Sequence, residues 1–216
     1  MAKRSMLWHI KQLRRAVFTT HELRAVSGKS ASNTTQALNA LEKQEVIFKI
    51  CRGIWMEAGN EKVSPYTIAP FLLPRHRAYV SFISALHLHG IIEQIPRTIT
   101  LATTSHTKTI RTTIGVYRFH QLQPSFFDGF IWYKGTGSFL VAEPEKALVD
   151  SLYLSTRKKK QFGHFPELRF SRSFDFGKAR KWAKKIPEYK IQSCVKKRLE
   201  ILLRQKIKTQ VQEFIV

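Results

Sequence analysis

A row of hydrogen-bonding side chains recurs at helical spacing between residues 29 and 43. At 3.6 residues per turn these side chains share one face of a helix, while the opposite face is largely apolar. The row comprises Lys29, Ser30, Ser32, Asn33, Gln36, Asn39 and Lys43, and the opposite face carries Ala31, Thr34, Leu38 and Leu41. Asn and Gln can pair bidentately with adenine, and Ser can contact base edges or phosphates. The row therefore predicts a helix that reads the major groove of DNA.

Two local signals place this helix after a shorter one. Thr20 is a suitable N-cap for a first helix, which Gly28 ends. Ser30 then caps the start of the second helix. Two helices joined by a short turn that contains glycine are typical of a helix-turn-helix.

A predicted hairpin follows the second helix. Residues 46–50 and 54–56 are two short β-like runs, and Gly53 permits a tight turn between them. Arg52 lies at the tip of this hairpin, where it can meet the DNA backbone. Residues 18–56 thus predict a winged helix-turn-helix, a module that docks on DNA. The alternative is a small winged domain that contacts only other proteins.

The net charge favours a polyanionic partner. The chain has 37 Lys and Arg against 15 Asp and Glu, a formal net charge of +22. Such a surface attracts nucleic acid over a screened but substantial range. The charge is concentrated in residues 155–216, which hold 18 basic and 5 acidic residues.

Several other classes of protein are disfavoured. Cys51 and Cys194 form no CxxC pair, and His87 with His89 is too little for a metal centre, so we expect no cofactor or metal. The N-terminal residues lack the apolar core of a signal peptide, and no run approaches the roughly 20 apolar residues that span a bilayer. These patterns predict a cytoplasmic protein.

A proline-rich stretch at residues 57–77 divides the chain, and we place the boundary near residue 60. Residues 1–59 form the predicted winged domain. Residues 60–216 predict a small α+β domain with a mixed sheet and a basic helical tail. Its predicted helices run between Ser81 and Gly90 and from Pro144 to Leu154, and its predicted strands are residues 97–103, 115–119, 129–133 and 138–142.

Three segments of the second domain resemble a known family. They are residues 79–86 (YVSFISAL), 89–96 (HGIIEQIP) and 141–150 (VAEPEKALVD). Together with the order of the domains, they are similar to the AbiEi-type antitoxins of type IV toxin–antitoxin and abortive-infection systems, over roughly residues 18–205. The resemblance implies an N-terminal domain that represses its own operon. It also implies a C-terminal domain that neutralises a nucleotidyltransferase-type toxin encoded beside it, with or without direct contact.

Two other classes of function compete with this interpretation. One is a winged-helix regulator whose second domain senses a small ligand. The other is a nuclease, since Glu143, Glu145, Lys146 and Asp150 follow a predicted strand. Metal-dependent hydrolysis needs several converging carboxylates, yet no Asp or Glu occurs between Glu93 and Asp128. We therefore expect no enzyme, with Glu143 and Glu145 favouring a helix N-terminus.

The basic tail carries the remaining candidate residues. A helix from Ile191 would align Val195, Leu199 and Leu202 on its packed side. The candidate basic surface comprises Arg157, Lys158, Lys159, Lys160, Lys196, Lys197 and Arg204. This surface could contact DNA phosphates, or serve antitoxicity through an acidic toxin or the toxin's nucleic-acid substrate, or be merely solvated.

Overall fold

A computed structural model describes residues 4–59, 63–135, 137–157 and 166–213, with side chains as far as residue 207. It contains helices and two separate β-sheets, which confirms the predicted α+β class. The first part of the chain forms α1 (Met6–Gln12), β1 (Val17–Thr19), α2 (Thr20–Ser27), α3 (Ala31–Lys43), β2 (Ile47–Cys51) and β3 (Ile54–Glu57).

The three strands of this first part make an antiparallel sheet in the order β1-β3-β2. One side of the sheet packs on the three helices. That small core consists of Met6, Ile10, Phe18, Leu23, Leu38, Ile47 and Trp55. The other side carries Val17, Ile50, Ile54 and Met56, which belong to the larger core of the molecule. The sheet is therefore buried between α1–α3 and the rest of the chain.

The N-cap of α2 is Thr19, one residue before the predicted Thr20. The Thr19 hydroxyl accepts a hydrogen bond from the backbone N–H of Glu22 at 3.1 Å, and the Glu22 carboxylate accepts one from the Thr19 N–H at 2.8 Å. This reciprocal pair is a capping box. The prediction that Thr20 is the N-cap of this helix is wrong. The Thr20 hydroxyl instead accepts a hydrogen bond from the indole N–H of Trp55 at 2.9 Å.

We expect Thr19→Ala to lower the free energy of unfolding by about 1 kcal/mol, since it removes a cap from a helix packed on the small core. Chemical denaturation of the full chain measures this. Ser5→Ala is the comparison variant, because Ser5 caps the short terminal helix α1 with a single hydrogen bond, from the N–H of Trp8, and without a capping box. A loss no larger than experimental error for Thr19→Ala would show that the capping box contributes nothing.

The second part of the chain begins with short helices. Residues Pro65–Ile68 form a 3-10 turn, and α4 (Ala69–Leu72) follows directly. Proline lies at the start of each, where its missing N–H costs no hydrogen bond. The remaining elements are β4 (Ala78–Val80), α5 (Phe82–Leu88), β5 (Thr98–Thr103), β6 (Lys108–Thr112), β7 (Gly115–Gln121), β8 (Phe130–Trp132), β9 (Leu140–Ala142), α6 (Pro144–Arg157), α7 (Phe176–Lys184) and α8 (Tyr189–Glu213).

Strands β4–β9 form a six-stranded mixed sheet in the order β6-β7-β5-β4-β9-β8. Pairs β5/β7 and β4/β9 are parallel, and the others are antiparallel. Side chains alternate between its two faces. The Tyr117 hydroxyl, on one face, donates to the carbonyl of Pro65 at 2.8 Å. The other face carries Tyr79 and Thr100, which hydrogen-bond to residues of α6 and α5.

Candidate nucleic-acid interface

Helix α3 presents the predicted row of polar side chains to solvent. Its inner side is fixed by Thr34 and Leu38, both fully buried. The exposed members of the row are Ser30, Ser32, Asn33, Gln36, Asn39 and Lys43. At a rise of about 1.5 Å per residue, Ser32 and Lys43 lie about 16 Å apart along the axis. This helix can therefore offer a continuous line of donors and acceptors to one surface.

The turn before α3 sets its direction. Gly28 has φ of 64°, a left-handed conformation that ends α2 without the strain a side chain would add. The Ser30 hydroxyl accepts from the Asn33 N–H at 3.2 Å, so Ser30 is the N-cap of α3. Lys29 is half-buried. Of the predicted row, Ser30 therefore has a local structural role, and Lys29 is less accessible than the other members.

The charge along α3 suits an anionic partner. The first turn has no acidic residue, and Glu42 is the one carboxylate within the helix. The partial positive charge of the helix N-terminus adds to the field of Lys29. Lys43 lies at the other end of the row.

The predicted hairpin forms between β2 and β3, with Arg52 exposed at its tip. Gly53 has φ of 78°, which the turn requires. Ile50 and Ile54 are buried in the larger core, and the carbonyl of Ile50 accepts from the N–H of Thr113 at 3.1 Å. The hairpin is thus anchored to the second sheet rather than projecting freely.

Lys49 is a basic residue beside this hairpin that the sequence analysis did not single out. Its side chain is exposed, and its ammonium lies 5.3 Å from the ring centroid of Trp55. The sequence did contain a signal for Lys49, since a lysine within an apolar β-like run is expected to point its side chain toward solvent.

The four residues considered for nuclease chemistry form two separate groups: Lys146 pairs with Asp150, whereas Glu143 and Glu145 contact a different helix. Lys146 and Asp150 form an ion pair, and both side chains are fully buried. Asp150 also accepts from the hydroxyl of Ser81 at 2.7 Å and from that of Tyr79 at 3.1 Å. The Lys146 ammonium lies 3.7 Å from the ring centroid of Phe126. These contacts give Lys146 and Asp150 a role in holding α6 to β4.

Burial dominates the electrostatics of this cluster. It lowers the pKa of Lys146 and raises the pKa of Asp150, although each partner opposes the shift of the other. Burial and the Asp150 carboxylate raise the pKa of Tyr79 well above its usual value. The Tyr79 hydroxyl therefore remains protonated and donates to Asp150.

The two glutamates of the cluster face α7, an element that the sequence analysis did not predict. Lys178 lies 3.0 Å from a carboxylate oxygen of Glu143 and 3.7 Å from one of Glu145. Glu145 also accepts from the N–H of Asp175 at 3.2 Å. Both carboxylates thus link the start of α6 to α7.

The basic tail is only partly available for a partner. The predicted stripe of α8 packs as expected, with Val195 and Leu199 buried and Leu202 partly buried. Arg157 donates to the Tyr153 hydroxyl at 2.8 Å, and Lys196 donates to the Gln192 side chain at 2.7 Å.

The exposed members of the predicted basic surface are Arg157, Lys197 and Arg204. Lys158, Lys159 and Lys160 lie outside the described residues.

Comparison with known proteins adds no relative: no protein-family model matches the chain, and no curated protein is significantly similar to it in sequence. Among the helices of the described residues, none is both long and apolar enough to cross a membrane.

Proposed function

We propose that residues 4–59 are a winged helix-turn-helix in which α3 is the recognition helix, and that the protein represses transcription from its own promoter. The observation that carries the proposal is the exposed polar face of α3, which contains Asn33 and Gln36, on a helix held by a buried apolar face. The order of helices and strands before and after α3 supports it. Arg52 then contacts a phosphate beside the groove.

The hairpin contacts bear on how this module is used. Ile50, Ile54 and Met56 pack into the larger core, so DNA contact at the tip is coupled to the second sheet. Removal of the second part would expose these three side chains, so DNA recognition is best measured with the full chain.

We further propose that the second part of the chain neutralises a nucleotidyltransferase-type toxin encoded in the same operon. This proposal rests on the resemblance of residues 79–86, 89–96 and 141–150 to AbiEi-type antitoxins. We assign antitoxicity to the basic surface of the tail, where Lys197 and Arg204 are exposed cations of α8, because α8 packs on the second sheet's helix α6.

A combined substitution tests both proposals in the full chain. We expect Asn33→Ala with Gln36→Ala to relieve repression of a reporter driven by the protein's own promoter, since both side chains lie on the exposed face of α3. The same variant should protect cells from the co-expressed toxin as well as the unaltered protein does. Lys197→Gln with Arg204→Gln should repress the reporter as the unaltered protein does but no longer protect cells from the toxin.

Loss of both activities together in either variant, with the fold intact, would contradict the assignment of two separate surfaces. If no nucleotidyltransferase gene accompanies this one, the competing regulator with a ligand-sensing second domain is favoured instead.

A further inference from the structure

A pocket of about 420 Å³ opens on the second sheet, on the face that carries α5. The loop between α5 and β5 forms one wall with Gln94, Ile95 and Pro96, and β7 contributes Arg118 to the floor. This volume lies within the roughly 300–1,000 Å³ typical of small-molecule sites.

The pocket is strongly cationic. Arg97 enters from the end of the loop, and Arg118 lies on β7 between Thr100 of β5 and Thr109 of the edge strand β6. Among the described residues that line the pocket there is no Asp or Glu. The nearest carboxylate in sequence to Arg97, that of Glu93, is paired with Arg169.

Arg118 is half-buried, and this burial points to an anionic ligand. A fully exposed arginine needs no partner, but one partly withdrawn from water on the face of a sheet is stabilised when an anion meets its planar donors. Arg97 and Thr98 line the same pocket, and both side chains can donate hydrogen bonds. Two guanidinium groups and a hydroxyl within one pocket offer enough donors for the three terminal oxygens of a phosphate monoester.

The other walls indicate what the phosphate is attached to. Ile83, Ile95 and Pro96 give the pocket an apolar side, and Ile95 is 76 % exposed. A flat apolar body would cover these side chains while its phosphate meets the arginines. A nucleotide has this combination, whereas a sugar phosphate lacks the apolar face.

We propose that this pocket binds the terminal phosphate monoester of a nucleotide, with the base against Ile95 and Pro96. The source is either a free mononucleotide or the 5′ end of a nucleic-acid strand. The site is separate from α3 and does not depend on the DNA-binding proposal.

Calorimetric titration of the full chain tests this inference. The probes are the four ribonucleoside 5′-monophosphates, the corresponding nucleosides, inorganic phosphate, and a trinucleotide with and without a 5′-phosphate. We expect a 5′-phosphorylated probe to bind saturably and its unphosphorylated form not to bind. Binding of a mononucleotide identifies a free nucleotide as the ligand, and binding of the 5′-phosphorylated trinucleotide alone identifies a strand end.

Variants locate the site. Arg118→Gln and Arg97→Gln should each weaken binding by about 10-fold or more, the scale of a lost charge-assisted hydrogen bond. Arg111→Gln is the matched control, because Arg111 lies on the same face of β6 but does not line the pocket. It should leave the affinity within about twofold, as expected for an exposed charge that does not line the pocket.

Three results would overturn the proposal: no saturable binding of any phosphorylated probe, equal binding of nucleosides, or inorganic phosphate binding as tightly as the nucleotides. An equal loss of affinity in Arg111→Gln and Arg97→Gln would also overturn it, because general surface charge would then explain the binding. Arg97 is exposed, so its variant remains informative if Arg118→Gln is destabilised.

Discussion

Asp150→Ala is expected to lower the free energy of unfolding by about 3–5 kcal/mol, the usual cost of removing one partner from a buried ion pair. The substitution leaves the Lys146 ammonium without its carboxylate among Phe126, Tyr79 and Trp182. Chemical denaturation of the full chain, followed by circular dichroism, measures the change.

Two further variants make this prediction specific. Glu93→Ala removes an exposed carboxylate that also has a basic partner, and it should cost less than about 1 kcal/mol. Asp150→Leu combined with Lys146→Met should recover much of the stability lost in Asp150→Ala, because it removes both buried charges. Normal stability of Asp150→Ala would refute the structural role of the pair.

Asn33→Ala and Gln36→Ala are each expected to remove about 1–3 kcal/mol of discrimination between operator and scrambled DNA. Both side chains are exposed on α3, so their loss should leave the fold intact. Arg52→Ala serves as the contrasting variant. A phosphate contact carries no sequence information, so this change should weaken binding to both DNAs by the same factor.

Helix α3 was predictable because its signals are local. Gly28 ends the preceding helix, and Ser30 caps the start of α3. The spacing of Thr34 and Leu38 then defines the buried face of α3 within a single turn. The same kind of signal placed the start of α6 at Pro144. The Thr19/Thr20 error arose where two adjacent residues could each cap a helix, and a contact between residues 35 positions apart, Thr20 and Trp55, decided between them.

Elements that depend on distant partners were not predictable. Strand β6 carries Lys108, Thr109 and Arg111 at the edge of the sheet, and this polar sequence looks like a loop until β7 pairs with it. Strand β4 has only three residues and was missed before the helix at Phe82.

The candidate sites likewise differ in whether their signals are local in sequence or depend on distant partners. The row on α3 could be found from periodicity alone. The burial of Lys146 and the docking of Ile50 beside Thr113 require tertiary structure, since nothing in the local sequence specifies their partners. The pocket had one sequence signal, the absence of acidic residues between Glu93 and Asp128, but only the register of β5 and β7 brings Thr98 and Arg118 together on one face.

Whether α3 reads DNA sequence is tested most directly by one titration. The affinity of the full chain for its own promoter DNA is measured by gel shift against scrambled DNA of equal length, at one salt concentration. We predict that the ratio of the two affinities falls by about 5- to 150-fold in Asn33→Ala or Gln36→Ala, equivalent to 1–3 kcal/mol. We also predict that this ratio is unchanged in Arg52→Ala. If the unaltered protein binds both DNAs equally, or if the α3 variants lose affinity for both to the same extent, α3 is not a recognition helix.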